Sequence, residues 1–217
     1  MRPLTFFPFL ALIVAACGPA PNSNGPTANE ASAGQVAKPN APLPDKVRVR
    51  LVTDLGPIVL ELDSRRAPVT TANFVRYVDE NRFDGTFFYR AARTKGATGR
   101  GFVQGGIRHS ARKSLPPIAH ERTSETGLKH VDGTVSMARA EPAGAMGDFF
   151  IIVGGAMPAM DARPGAPGFA AFGRVEEGMD VVRKILAVPT VANAGRGPMR
   201  GQIIEKPVRI LTARRVD

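Results

Sequence analysis

The chain has 217 residues, enough for one ordinary domain with an extra segment, and its hydrophobic content of 43% suffices for a packed core. A formal net charge of +10 favours solubility and attraction to anionic surfaces. With no basic helix, zinc motif or recognisable nucleic-acid module, nucleic-acid binding is not expected.

Met1-Arg2 gives a positive start, and Leu4 to Ala16 is an apolar run broken only by Thr5 and Pro8. The run is too short to span a bilayer as a helix, so residues 1–17 read as an export signal. It ends in Val14-Ala15-Ala16-Cys17, small residues before the chain's only cysteine, and resembles a bacterial lipobox. That resemblance implies cleavage before Cys17, a lipid on its thiol, and a periplasmic protein anchored to an envelope membrane. The alternative is an ordinary cleaved signal peptide followed by an incidental cysteine. In either case the exported part would have no disulfide to support it. Residues 18–46 hold six prolines, six alanines, four asparagines and no aromatic residue. Such a segment cannot bury enough apolar surface to offset ordering, and it reads as a disordered tether. Arg2 is the leader's only charge and the tether's four charges cancel, so nine of the ten excess positive charges sit on residues 47–217.

From residue 47 the pattern becomes globular. Val47 to Thr53 and Ile58 to Leu62 flank Asp54-Leu55-Gly56-Pro57, which predicts two strands around a tight turn. Ala67-Pro68 opens a segment with Thr71, Phe74, Val75 and Val78 on one face, an amphipathic helix that tolerates proline in its first turn. Phe87 to Tyr89, Phe102 to Gln104, Thr134 to Ala138, Phe149 to Val153 and Ala170 to Val175 read as strands. Val181, Val182, Ile185 and Leu186 mark a second helix, begun near Gly178 and stopped by Pro189. Val208 to Arg214 is a closing strand. Eight short strands that do not alternate regularly with two helices predict a mainly β fold. We expect a closed eight-stranded antiparallel barrel with the helices capping its open ends.

The stretch from Phe87 to Gly106 is the most informative chemically. It puts Arg90 at the end of an aromatic run and Gln104 before a glycine pair, and no Asp or Glu occurs between residues 85 and 120. An arginine kept from acids in sequence is a plausible site residue, although a half-buried strand ending in a solvated arginine would read the same way. The histidines, His109, His120 and His130, are scattered without ligand spacing, so no metal site is predicted.

The motif order resembles the cyclophilin-type peptidyl-prolyl isomerases over nearly all of residues 47–217. Ala67-Pro68-Val69 with Asn73-Phe74-Val75 is similar to that family's first helix, Phe88-Tyr89-Arg90 to its Phe-His-Arg, and Gln104-Gly105-Gly106 to its Gln-Gly-Gly. Gly133 to Arg139 resembles the strand that carries its Met-Ala, and Gly147 to Ile151 its Ser-Gln-Phe-Phe-Ile. Phe172-Gly173-Arg174-Val175 with Gly178 to Val182 resembles its Phe-Gly-x-Val-x-x-Gly-x-x-Val. The resemblance implies an isomerase domain over 47–217 that exchanges cis and trans X-Pro bonds in proline-containing polypeptides, without metal or organic cofactor. It places the catalytic residues at Arg90 and Gln104 and an apolar floor at Ala138 and Phe150, with Phe102, Met160 and Phe169 also against the substrate. Gln104 would fix the substrate backbone or orient Arg90.

Some positions depart from the family. Asp148 replaces a glutamine, and its carboxylate is expected near Arg90, holding the guanidinium or competing with substrate for it. Gly101 stands where the family has Phe, Ala159 where many members have Trp. Ala91 to Arg100 reads as an enlarged loop beside the pocket. The clients expected are unfolded or partly folded envelope proteins, and with no oligomerisation signal a monomer is expected. The rival reading is a proline-binding chaperone or scaffold with weak or no turnover.

Overall fold

The computed structural model describes residues 42–108, 110–140 and 144–217. The predicted export signal, Cys17, the predicted tether as far as residue 41, and His109 lie outside the described residues.

Alternation builds the first hairpin. In β1 (Lys46–Thr53) Val47, Val49, Leu51 and Thr53 are buried while Lys46 and Arg50 face outward, the period-2 pattern of a half-buried strand. The Asp54-Leu55 turn returns the chain in β2 (Gly56–Asp63), with Thr53 opposite Gly56. The remaining strands are β3 (Thr86–Arg93), β4 (Gly101–Gly106), β5 (Thr134–Ala140), β6 (Gly144–Val153), β7 (Ala170–Glu177), β8 (Thr190–Val191) and β9 (Ile203–Val216). They pair antiparallel in the order β1-β2-β7-β5-β6-β4-β3-β9, and β9 pairs again with β1. The ring is therefore a closed eight-stranded barrel, as expected. The two-residue β8 adds to β9 outside it. Closure removes the free sheet edges that would otherwise invite pairing with other chains.

Helix α1 (Pro68–Asp79) follows the end of β2, and α3 (Met179–Ala187) follows the end of β7, which lies beside the start of β2. The two predicted helices thus occupy opposite ends of the barrel. A third, α2 (Thr123–Thr126), is a single turn, too short to leave a periodic signal in the sequence. The core is aromatic at the α1 end. Phe74 meets Phe83 at 4.8 Å and both Phe149 and Phe172 at 5.3 Å between ring centroids.

Two predicted boundaries move. Leu43 packs against the core, and the Asp45 carbonyl accepts hydrogen bonds from the Ser64 and Arg65 N–H groups, so the ordered domain starts before residue 47. The segment after Arg90 is not a loop beside the pocket. Ala91 to Arg93 continue β3, paired as far as Arg93 opposite Gly101. The turn at residues 94–100 is thereby carried away down the hairpin, and it contributes no residue to the pocket lining. Gly101 closes that turn at φ +154°, where an added Cβ would lie 2.1 Å from the Ala92 carbonyl oxygen. No side chain could stand there in the place of the family's Phe.

Candidate active site

The pocket sits on the outer face of four neighbouring strands, β5-β6-β4-β3, and has a volume of about 380 Å³. Simple alternation supplies part of its lining. Along β4, Phe102 and Gln104 face the pocket and Val103 the core; along β6, Asp148 and Phe150 face the pocket and Phe149 the core. Two bulges supply the rest. The β3–β4 register slips between Phe88 and Arg90, so Phe88 points into the core while Tyr89 and Arg90, consecutive residues, both line the pocket. The β5–β6 register slips between Met137 and Arg139, and Ala138 and Arg139 both line it in the same way. An extra residue in one strand resets which side chains face outward. Without the first slip, Arg90 would follow Phe88 into the barrel interior.

The Gln-Gly-Gly sequence follows from close packing here. Gly106 has φ +123°, and an added Cβ would lie 2.3 Å from the Gly147 carbonyl oxygen on β6. Only glycine lets β4 and β6 approach this closely beside Asp148. From the other side, Asn73 of α1 donates through Nδ2 to the Met146 carbonyl at 2.7 Å, tying the helix to β6 at the same level.

Arg90 is held by two neutral acceptors. Its Nη1 donates to Gln104 Oε1 at 2.9 Å and its Nε to Gln202 Oε1 at 2.9 Å. Among the described residues no acceptor engages Nη2, and the guanidinium lies 4.8 Å from the centroid of Phe102. Burial lowers the pKa of Arg90, but an arginine stays protonated throughout the physiological range. Gln104 thus contacts Arg90 directly, as an orienting role requires. Its other end is also engaged, with Nε2 donating to the Tyr89 hydroxyl at 2.8 Å.

Asp148 lies in the pocket wall, but not against Arg90 as expected. Arg90's hydrogen bonds go to the two glutamine oxygens. Asp148 Oδ1 accepts the Arg108 N–H at 2.7 Å, and the carboxylate also accepts the Tyr89 hydroxyl. A relay therefore runs from Asp148 through Tyr89 and Gln104 to Arg90. Burial first, then the Asp148 charge, push the Tyr89 pKa well above its usual value, so the phenol stays protonated as the relay requires.

The apolar part of the pocket is an aromatic corner. Phe150 meets Phe102 at 5.4 Å and Phe169 edge-on at 5.3 Å. Met160 completes that side, and its carbonyl accepts the Phe169 N–H at 2.9 Å. The structure thus brings together Arg90, Gln104, Phe102, Ala138, Asp148, Phe150, Met160 and Phe169 around one cavity. Ala159 is exposed and does not line it.

Several contributors carried little or no sequence signal. Met199, Gln202 and Ile203 come from the β8–β9 connection and the start of β9, a region with no motif or periodicity. Behind Phe150 the His130 ring is stacked at 5.9 Å and 11°. His130 Nδ1 is 2.7 Å from Asp161 Oδ1, and Nε2 is 2.9 Å from Ser136 Oγ. Burial lowers the His130 pKa against the opposing pull of Asp161. The neutral tautomer with its proton on Nδ1 satisfies both partners. The Ser136-His130-Asp161 order has the connectivity of a hydrolytic triad, but Ser136 is fully buried and no substrate reaches it. The array is a support for Phe150.

Residues 48–214 match the family described as cyclophilin type peptidyl-prolyl cis-trans isomerase/CLD. The chain is similar to peptidyl-prolyl cis-trans isomerase cyp18 of Streptomyces antibioticus, 38% identical over 162 residues that cover 72% of this chain and 95% of that protein. It is 34% identical to peptidyl-prolyl cis-trans isomerase B of Escherichia coli (strain K12) over 168 residues, 73% of this chain and 93% of the other. Among solved structures, a cyclophilin type isomerase of Cryptosporidium parvum, crystallised in the presence of the dipeptide Ala-Pro, superposes with a TM-score of 0.62. That alignment covers 78% of this chain and 99% of the other, and at 18% identity the likeness is one of fold. With the family match running from β1 into β9 and relatives above 30% identity, the chain belongs to the cyclophilin-type peptidyl-prolyl cis-trans isomerase family.

Proposed function

We propose that this chain is an exported peptidyl-prolyl cis-trans isomerase, anchored through a lipid on Cys17, that acts on unfolded or partly folded envelope proteins. The observation that carries the catalytic part is the posture of Arg90, fixed by two uncharged oxygens with Nη2 left for a ligand. Amide resonance sets the barrier to X-Pro rotation at ~18–20 kcal/mol, and no covalent bond need break. The task is to favour the twisted amide, in which nitrogen has recovered its lone pair. A guanidinium N–H donates to that nitrogen and interacts less with the planar ground state, so its binding is differential and raises the rate.

A hydrogen bond from a charged group contributes ~1.5–3 kcal/mol, roughly ten- to a hundredfold in rate. The aromatic corner adds the rest. Phe102, Phe150, Phe169 and Met160 hold the proline ring while the preceding carbonyl swings, and they exclude water that would favour the more polar planar amide.

The test is the refolding of a protein whose slow phase is limited by proline isomerisation. Wild type accelerates that phase in catalytic amounts. Arg90→Ala retains the wild-type melting temperature and loses roughly ten- to a hundredfold in catalytic efficiency. Binding of the refolding chain without acceleration by wild type would identify a proline-binding chaperone instead.

A further inference from the structure

Among the described residues three guanidinium groups line the pocket, those of Arg90, Arg108 and Arg139, against one carboxylate, Asp148. Arg90 is held by the two glutamines. Arg139 donates through Nε to the Gly168 carbonyl at 3.0 Å and lies over Phe169. Arg108 is different. Its guanidinium makes no hydrogen bond or ion pair among the described residues, and it rests 5.6 Å from the centroid of the Tyr89 ring. The residue is exposed, yet its main chain is fixed. Its φ is +48°, one of two positive values among the described non-glycine residues, and its N–H is held by Asp148 at 2.7 Å. An arginine in the left-handed region is uncommon and persists where its surroundings determine it. Asp148 is the determinant here. The carboxylate is engaged with the Arg108 main chain and the Tyr89 hydroxyl, while the Arg108 side chain is left at the pocket wall without an acid.

Several arginines elsewhere on the barrel have acids. Arg48 pairs with Glu176 at 2.7 Å, Arg174 with Glu61 at 3.2 Å, Arg214 with Asp84 at 2.7 Å and Arg215 with Asp79 at 2.9 Å. Beside the cavity, no acid among the described residues pairs with the Arg108 guanidinium.

We propose that Arg108 makes this pocket prefer proline-containing segments that carry an Asp or Glu within two residues of the proline. This rests on the proline-binding reading above. A substrate carboxylate takes paired N–H bonds from the guanidinium, which leaves the Tyr89 face to meet it. A lysine at the same substrate position meets like charge. The site is open to solvent, so salt weakens the preference.

A series of otherwise identical peptides with Glu, Gln or Lys beside the proline tests this, with equilibrium binding and kcat/KM measured separately. For wild type the Glu peptide exceeds the Gln peptide by about three- to tenfold at low salt, and the ratio falls towards one at about 0.5 M sodium chloride. Arg108→Gln brings the ratio near one at low salt, and Arg108→Lys retains part of it. Comparing ratios within one variant removes any general effect on folding or activity. A wild-type ratio of one or less, or a ratio unchanged in Arg108→Gln, would overturn the proposal. Binding without turnover would count against the isomerase reading alone, because the affinity ratio still decides the preference. Failure of every peptide to bind would overturn both.

Discussion

A carboxylate beside Arg90 would neutralise its charge and compete with the ligand. The amide oxygens of Gln104 and Gln202 orient the guanidinium and leave its charge intact. In the proposed mechanism Gln202 is thus a positioning residue acting through Arg90. Its hydrogen bond to a charged group is worth ~1.5 kcal/mol at the low end, so Gln202→Ala should lower kcat by roughly tenfold with little change in KM. In the proposed mechanism Arg90 acts on the twisted amide, which is why kcat should carry the loss. A change confined to KM would contradict the role, and an unchanged melting temperature would separate it from a folding defect. At this scale legibility was uneven. Arg90, Gln104 and Phe150 sit in motifs that share one short stretch of chain or one strand, so the sequence exposes them. Gln202 is 112 positions from the arginine it holds and has no pattern around it. Asp148 lines the pocket, but its pairing with the Arg108 N–H and the Tyr89 hydroxyl is not legible in the sequence, because it depends on the bulge that turns Tyr89 to the pocket side.

Elements were the most legible part, because strand alternation and helix periodicity survive in a single sequence. All eight barrel strands and both long helices were visible that way. Alternation also predicts its own failure wrongly: it would send Arg90 to the core side, and only the observed register slip returns it to the pocket. The junction between β2 and α1 offers a measurable case of element-level electrostatics. Asp63 is buried at the end of β2, and its carboxylate accepts Lys46 Nζ at 2.8 Å, Arg66 Nε at 2.7 Å and the Arg66 N–H at 3.0 Å. Burial opposes its ionisation, but the hydrogen bonds from Lys46 and Arg66 outweigh it and lower the pKa from 3.8 to about 2. The depressed value means the folded state prefers the ionised form. Its stabilisation, about 2 kcal/mol, is complete above pH ~4 and is lost as pH falls through ~2. Urea unfolding should therefore find Asp63→Asn about 2 kcal/mol less stable at pH 7, with the gap closing between pH 4 and pH 2. A gap independent of pH would contradict this account of the junction.

For the whole molecule, the barrel was readable because six motifs fall in order along it, whereas the distribution of charge was not. The sequence gathers seven basic residues between 85 and 120, but only the fold separates Arg108 at the pocket wall from Arg93, which donates through Nε to the Leu186 carbonyl beyond it. The proposed anchor lies outside the described residues and rests on the small residues before Cys17. In a bacterial host, wild type should fractionate with membranes and Cys17→Ser with the soluble fraction; identical partitioning would remove the anchor. The catalytic proposal is tested most directly by the exchange rate between cis and trans forms of an X-Pro peptide at equilibrium, measured by NMR with wild type and with Arg90→Ala at matched fractions of bound peptide. The account predicts fast exchange with wild type and a rate roughly ten- to a hundredfold lower with Arg90→Ala. Equal exchange rates for the two proteins would contradict it.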